Sequence, residues 1–161
     1  MLENRKVIWD ALCEMKDSYA VIASALASVD SVAKIFDTGG GFTEGLMDIY
    51  ASVVTTSVST SSNTNHYVVS LQGNSSATFA SASDIVELAS IEFGDAAQLR
   101  GGKDVGAGLY KLKWNNMFGG TVYRYLRAYT RVSGNGAASG PGSIVGASIG
   151  AGITYTAILS K

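Results

Sequence analysis

From Thr121 to Val132 the chain reads Thr-Val-Tyr-Arg-Tyr-Leu-Arg-Ala-Tyr-Thr-Arg-Val. No other run constrains the fold as tightly. Successive side chains of a strand point to opposite faces. An extended run therefore puts Tyr123, Tyr125, Arg127, Tyr129 and Arg131 on one face, and Val122, Arg124, Leu126, Ala128, Thr130 and Val132 on the other. The second set is a core face interrupted by Arg124. A buried guanidinium without a partner is prohibitively costly, so Arg124 is a buried-charge candidate needing a carboxylate, with Glu87 or Glu92 in reach by sequence. The Tyr/Arg face combines large contact area with polar tips, as protein-binding surfaces do. The plainer reading is a half-exposed strand with cross-strand tyrosine pairs.

The same period of two recurs along the chain. Val32–Phe36 reads as a short strand ended by Gly39-Gly40-Gly41. Leu46–Val58 reads as a long one, with Met47, Ile49, Ala51 and Val53 on one face and Tyr50 and Val54 on the other. After a polar turn at Ser59–Thr64, Asn65–Gln72 aligns Tyr67, Val69 and Leu71. Further strands are expected over Ile85–Phe93, Leu109–Asn115, Thr121–Val132 and Ile153–Leu159, with a Gly/Ser/Ala loop at 134–150. About six to eight strands with Gly-rich turns predict an all-β domain, a β-sandwich or barrel-like (jelly-roll-like) fold, over residues 31–161. Residues 1–30 are set apart as an N-terminal arm, helical or extended. Ile8, Leu12, Met15, Tyr19, Ile22 and Leu26 recur at intervals of three and four, which favours a helix. Ile8, Leu12 and Tyr19 would then contact a neighbouring subunit.

Composition removes several function classes. Charged residues make up only 16% of the 161, and the formal net charge is −1. No basic excess exists to hold a nucleic-acid backbone. One cysteine, Cys13, and one histidine, His66, leave no disulfide framework and little room for zinc or triad chemistry. Cys13 is expected to be a small buried hydrophobe, His66 a solvated strand-end residue. Asp84, Glu87, Glu92 and Asp95 lie close in sequence, but Asp84 and Glu87 would face opposite sides of a strand rather than form a hydrolase pair. The glycine clusters lack the spacing of a phosphate-binding loop. The uncharged stretch Val132–Ser160 is too polar for a spanning helix, and Asp10, Glu14, Lys16 and Asp17 interrupt any signal-peptide core. The expectation is a non-enzymatic protein without cofactor or metal, with no nucleic-acid or membrane partner, made in the cytoplasm.

Several motifs together resemble the head-decoration, or capsid cement, proteins of tailed double-stranded DNA phages. They are Tyr67–Leu71, Asn74-Ser-Ser-Ala-Thr-Phe-Ala80, Ile85–Gly94, Gly106-Ala-Gly-Leu-Tyr110, Asn115-Asn116, Tyr123-Arg-Tyr-Leu-Arg-Ala-Tyr129 and Gly152-Ile-Thr-Tyr-Thr-Ala-Ile-Leu159. Upstream, Ser31–Gly39 resembles the family's short strand ending in Asp-x-Gly, here Asp37-Thr38-Gly39. The resemblance spans residues 31–160. It implies a β-sandwich or barrel-like subunit that oligomerises on the outer capsid surface and braces capsomers of the major capsid protein, without catalysis or cofactor. A homotrimer near three-fold positions is expected, with a dimer as the alternative, and the mature location is the virion. The helical, charged residues 1–30 and the long 134–150 loop depart from the family pattern. A tail- or fibre-associated or glycan-binding β-domain is the alternative, with Tyr50, Trp114, Tyr123 or Tyr125 stacking on sugars.

Overall fold

The computed structural model describes residues 13–54, 65–94, 105–133 and 152–160. Its short leading strands are β1 (Glu14–Lys16), β2 (Ala20–Val21), β3 (Ala25–Leu26), β4 (Ser28–Val29), β5 (Val32–Ala33) and β6 (Phe36–Asp37). The long strands β7 (Glu44–Val54), β8 (His66–Asn74), β9 (Val86–Gly94) and β10 (Gly108–Asn115) come next. A small hairpin, β11 (Met117–Phe118) and β12 (Thr121–Val122), leads into β13 (Tyr125–Ser133), and β14 (Ile153–Ser160) closes the chain.

One sheet has the order β1–β14–β7–β10, with β2 also on β14; the other has β3–β13–β8–β9, with β6 also on β13. The chain passes from β7 to β8 and β9, back to β10, across to β13 and back to β14. Such interleaving of two four-position antiparallel sheets is jelly-roll connectivity. The all-β sandwich expectation therefore holds, and the jelly-roll variant of it describes the strand order.

Alternation explains where the core sits. Leu126, Ala128, Thr130 and Val132 of β13 and Tyr67, Val69 and Leu71 of β8 face Met47, Ile49 and Ala51 of β7 and Ile153, Tyr155, Ala157 and Leu159 of β14, all buried. Each large apolar side chain removed from water contributes about 1.5–3 kcal/mol, the main force closing the two sheets. Phe93 and Tyr110 meet edge to face, ring centroids 4.9 Å apart, where β9 lies against β10.

Three expectations need correction. Residues 13–29 are not helical: they form β1–β4, and of the proposed stripe Met15 is buried while Tyr19, Ile22 and Leu26 are exposed. Pairing onto β14 and β13 supplies these backbone groups with partners from distant chain, so the three-four spacing does not mark a common face. Val53 points outward rather than with Met47, because the register with β14 slips at Thr154/Tyr155, leaving Ser52 as an extra residue. A bulge of this kind reverses the facing of the residues beyond it. The expected strand Val32–Phe36 breaks into β5, which turns back on β4, and β6, which pairs with β13. Asp30 and Ser31, both with positive φ, form the β4–β5 turn, and the Asp17 carboxylate accepts the Asp30 N–H at 2.8 Å. Ile8 and Leu12, the Ser59–Thr64 turn, Asp95 and the 134–150 loop lie outside the described residues.

Candidate functional site

The Tyr/Arg face of β13 forms as the alternation requires, with Tyr125, Arg127, Tyr129 and Arg131 half-buried on the outer side of their sheet. Its charges are engaged within the chain. Arg127 lies over the Phe79 ring at 4.4 Å and near Tyr129 at 5.9 Å, and its Nε donates to Gln72 on β8 at 2.9 Å. Arg131 reaches Glu87 on β9 at 3.1 Å. Register explains the first partner, since Arg127 stands opposite Gln72; Arg131 stands opposite Val68, whose β9 partner is Glu92, so its reach to Glu87 runs diagonally across the sheet. This is the cross-strand ladder of an ordinary outer face.

Arg124 is not a buried charge. It precedes β13, where the alternation has not yet begun, and its exposed guanidinium holds Asp37 through Nε and Nη2, each at 2.8 Å. That fork keeps it firmly protonated, raising its pKa through the hydrogen bonds and the Asp37 charge. Neither Glu87 nor Glu92 is its partner; Glu92 stands 3.8 Å from His66 across β8 and β9. Asp84 lies in a short 3-10 turn before β9.

The other sheet presents a different outer face. Tyr50 of β7 is 59% exposed and stands between Leu109 of β10, 61% exposed, and Thr156 of β14. The next row is Lys111, Asp48 and Ile158, where Lys111 Nζ contacts Asp48 at 2.7 Å. Lys113, Leu46 and Ser160 form the third row. Exposed Leu46, Tyr50 and Leu109 thus share a flat sheet face whose reverse is core. Exposed apolar rows of this kind are what protein partners cover.

One end of the sandwich carries a second apolar group. Asn116 is fully buried, and its Nδ2 donates to Gly41 O at 2.8 Å, Tyr123 O at 3.1 Å and Thr38 Oγ1 at 3.2 Å, while Oδ1 accepts the Thr43 N–H at 2.8 Å. Thr38 Oγ1 in turn donates to Arg124 O at 2.9 Å. This network binds the Asp37–Thr43 loop to the β11–β12 hairpin, whose Gly119-Gly120 turn takes positive φ at both residues. Phe42, Met117 and Phe118 project from the two segments into solvent. Asn116 belongs to the Asn115-Asn116 pair of the resemblance, but nothing in its sequence context signalled a buried clamp.

Other sequence candidates fall as described next. Trp114 is 2% exposed and cannot stack on a sugar, whereas Tyr50 can; Tyr123 and Tyr125 are half-buried. Tyr19 is exposed between β1 and β2. Cys13 is a half-buried free thiol beside β14, where its carbonyl accepts the Leu159 N–H at 2.9 Å. Asn74, which opens the Asn74-Ser75-Ser76 run, is buried, with Oδ1 accepting the Ser76 N–H. Among the described residues no three His, Cys, Asp or Glu side chains converge on a metal-sized site.

No family model matches this chain, and no curated protein or solved structure matches it.

Two signals for the exposed apolar face were present in sequence. Tyr50 alternates with buried Ile49 and Ala51, and Leu109 with Tyr110. Both were legible as outward-facing apolar residues; what sequence did not supply was their adjacency, which depends on β10 pairing with β7.

Proposed function

We propose that this chain is a structural virion protein that binds the outside of a phage capsid and stabilises the expanded shell by bridging major-capsid-protein capsomers. The observation that carries this reading is the pair of exposed apolar groups on one rigid sandwich: the Leu46–Tyr50–Leu109 face and the Phe42–Met117–Phe118 end. Two separate contact groups on one body suit a bridging role, because repeated weak contacts add avidity. Most of the motifs that resemble the decoration proteins fall on β8, β9, β10, β13 and β14, while Asn74–Ala80 runs on from the end of β8, Ser31–Gly39 covers β5 and β6, and β7 carries none. Function by binding alone suffices here: a protein that binds the expanded shell and not its precursor shifts that equilibrium by mass action. Trimeric assembly on the capsid surface belongs to the same reading.

The test is co-sedimentation with expanded heads lacking the protein, with unexpanded procapsids as control. Saturable binding to expanded heads, with a raised melting temperature of the shell, is the expected result. Absence of binding to either particle would overturn the reading and turn attention to sugars at Tyr50.

A further inference from the structure

We infer that the edge of β10, unpaired among the described residues, is a strand-addition site for an extended, carboxylate-bearing segment of a partner protein. Every other sheet margin among the described residues is blunted. On the far side the margins are the short pieces β1, β2, β3 and β6, two or three residues each. On the near side β9 is interrupted where its register slips at Leu71/Gln72, and Gly94 bridges to Val105. β10 alone is long and regular. It runs eight residues in unbroken register with β7, from Gly108 opposite Ala51 to Asn115 opposite Glu44, and among the described residues no strand pairs with its other side. An unpaired edge of this length is a row of N–H and C=O groups ready to take up a further strand.

Side chains along the edge select the occupant. Leu109, Lys111 and Lys113 project on its outer face, all exposed. Lys111 already has Asp48, but Lys113 has no carboxylate partner among the described residues. A second β10 is a poor fit. The two antiparallel registers that keep outer faces together and overlap all but one of the eight residues set Lys111 against Lys111 or against Lys113. Like charges placed directly opposite are destabilising. An incoming strand with Asp or Glu opposite the lysines and an apolar residue opposite Leu109 meets the whole row. The inner neighbours Tyr110 and Leu112, half-buried against the core, would be covered further by its alternate side chains.

This inference does not rest on the capsid reading, and its test uses no capsid. The probe is a synthetic eight-residue peptide alternating Glu with Val and Thr, compared with the same peptide carrying Lys for Glu, each added to the full chain. Amide hydrogen exchange is followed residue by residue. The expected result is slowed exchange confined to β10 with the acidic peptide and none with the basic one. N-methylation of the peptide backbone at alternate residues should abolish binding in one parity and spare it in the other, the mark of a ladder rather than of charge alone. Lys113→Glu is expected to weaken the acidic peptide by about threefold to tenfold, with the melting temperature unchanged. Three outcomes would overturn the inference: no protection on β10 at millimolar peptide, equal tolerance of both N-methylation parities, or β10 protection that grows with protein concentration alone, which would point to a second copy.

Discussion

Thr130 of β13 and Tyr155 of β14 join hydroxyls in the middle of the core, the one from one sheet and the other from the facing sheet. Both residues are buried, and the bond satisfies two groups that would otherwise be stranded in an apolar layer. Removing one hydroxyl should cost more than removing both. Tyr155→Phe or Thr130→Val alone is expected to lose about 1–3 kcal/mol, the desolvation cost of the orphan left behind. The double variant should recover part of that loss. Urea unfolding of the four proteins in the cycle measures the coupling.

Lys16 lies across the same Tyr155 ring, its Nζ 4.7 Å from the centroid and donating to the Asp17 and Tyr19 carbonyls, each at 2.7 Å. Burial lowers its pKa to about 8, against the opposing pull of the Asp17 charge. Burial raises Tyr67 to about 12 and raises Tyr155 as well, in each case partly offset by a hydrogen bond. Between pH about 8 and 10 the unfolded chain keeps a proton on Lys16 that the folded protein has released, so stability rises with pH. Above about 10 the folded protein keeps tyrosine protons that the unfolded chain loses, so stability falls. The expected profile peaks near pH 10, and Lys16→Met removes the rising limb. Denaturation midpoints from pH 7 to 11.5 test it.

The Asn116 clamp holds an end of the sandwich that otherwise consists of turns. Asn116→Ala strands the Thr43 N–H and the Gly41 and Tyr123 carbonyls, and about 2–4 kcal/mol of stability should be lost. Asn116→Asp is expected to be no better, since an ionised carboxylate cannot donate to either carbonyl. Chemical unfolding of both variants, with amide exchange of residues 37–43 and 116–124, checks the energy and its location.

Two glycines should separate crowding from conformation. A Cβ at Gly45 would collide with the Ser160 carbonyl and press on the Trp114 ring, so Gly45→Ala must displace the end of β14. The expected loss is about 2–3 kcal/mol. Gly119 has open space around it but φ of +57°, so its alanine variant pays only the left-handed penalty of about 1–2 kcal/mol. Thermal melts of the pair give the order of the two effects.

How much of this was legible in sequence depended on whether period and partner agreed. β13 read correctly from Leu126 to Val132 because one strand with one buried face leaves a strict alternation. β7 read correctly through Ala51 and then failed at Val53, since a bulge is fixed by the register with β14 and leaves no local mark. For residues 13–29 the helical reading failed and the extended alternative held. Met15, Tyr19, Ile22 and Leu26 fit a helical period, yet the unpaired edges of β14 and β13 offered backbone partners that a local pattern cannot encode. Arg124 was misplaced by extending the alternation two residues too early; its partner, Asp37, comes from β6, far back in the chain.

The two outer faces of the sandwich make opposite predictions. On β13, Tyr129 packs beside Arg127 and Arg131 is tied to Glu87, so this face spends its chemistry internally. On β7 and β10, Tyr50 and Leu109 lie side by side with their large surfaces in water. If the proposed capsid contact uses the second face, Leu109→Glu should weaken binding to expanded heads by about tenfold or more, as loss of a central apolar anchor does. Its melting temperature should stay near the parent value, because the replaced side chain is already exposed. Tyr129→Ala should behave in reverse, lowering the melting temperature through the lost Arg127 contact while leaving binding within about twofold of the parent, too little for a lost anchor. Co-sedimentation titrations and thermal melts on the two variants measure both quantities. Binding lost in Tyr129→Ala and retained in Leu109→Glu would place the contact on the Tyr/Arg strand instead.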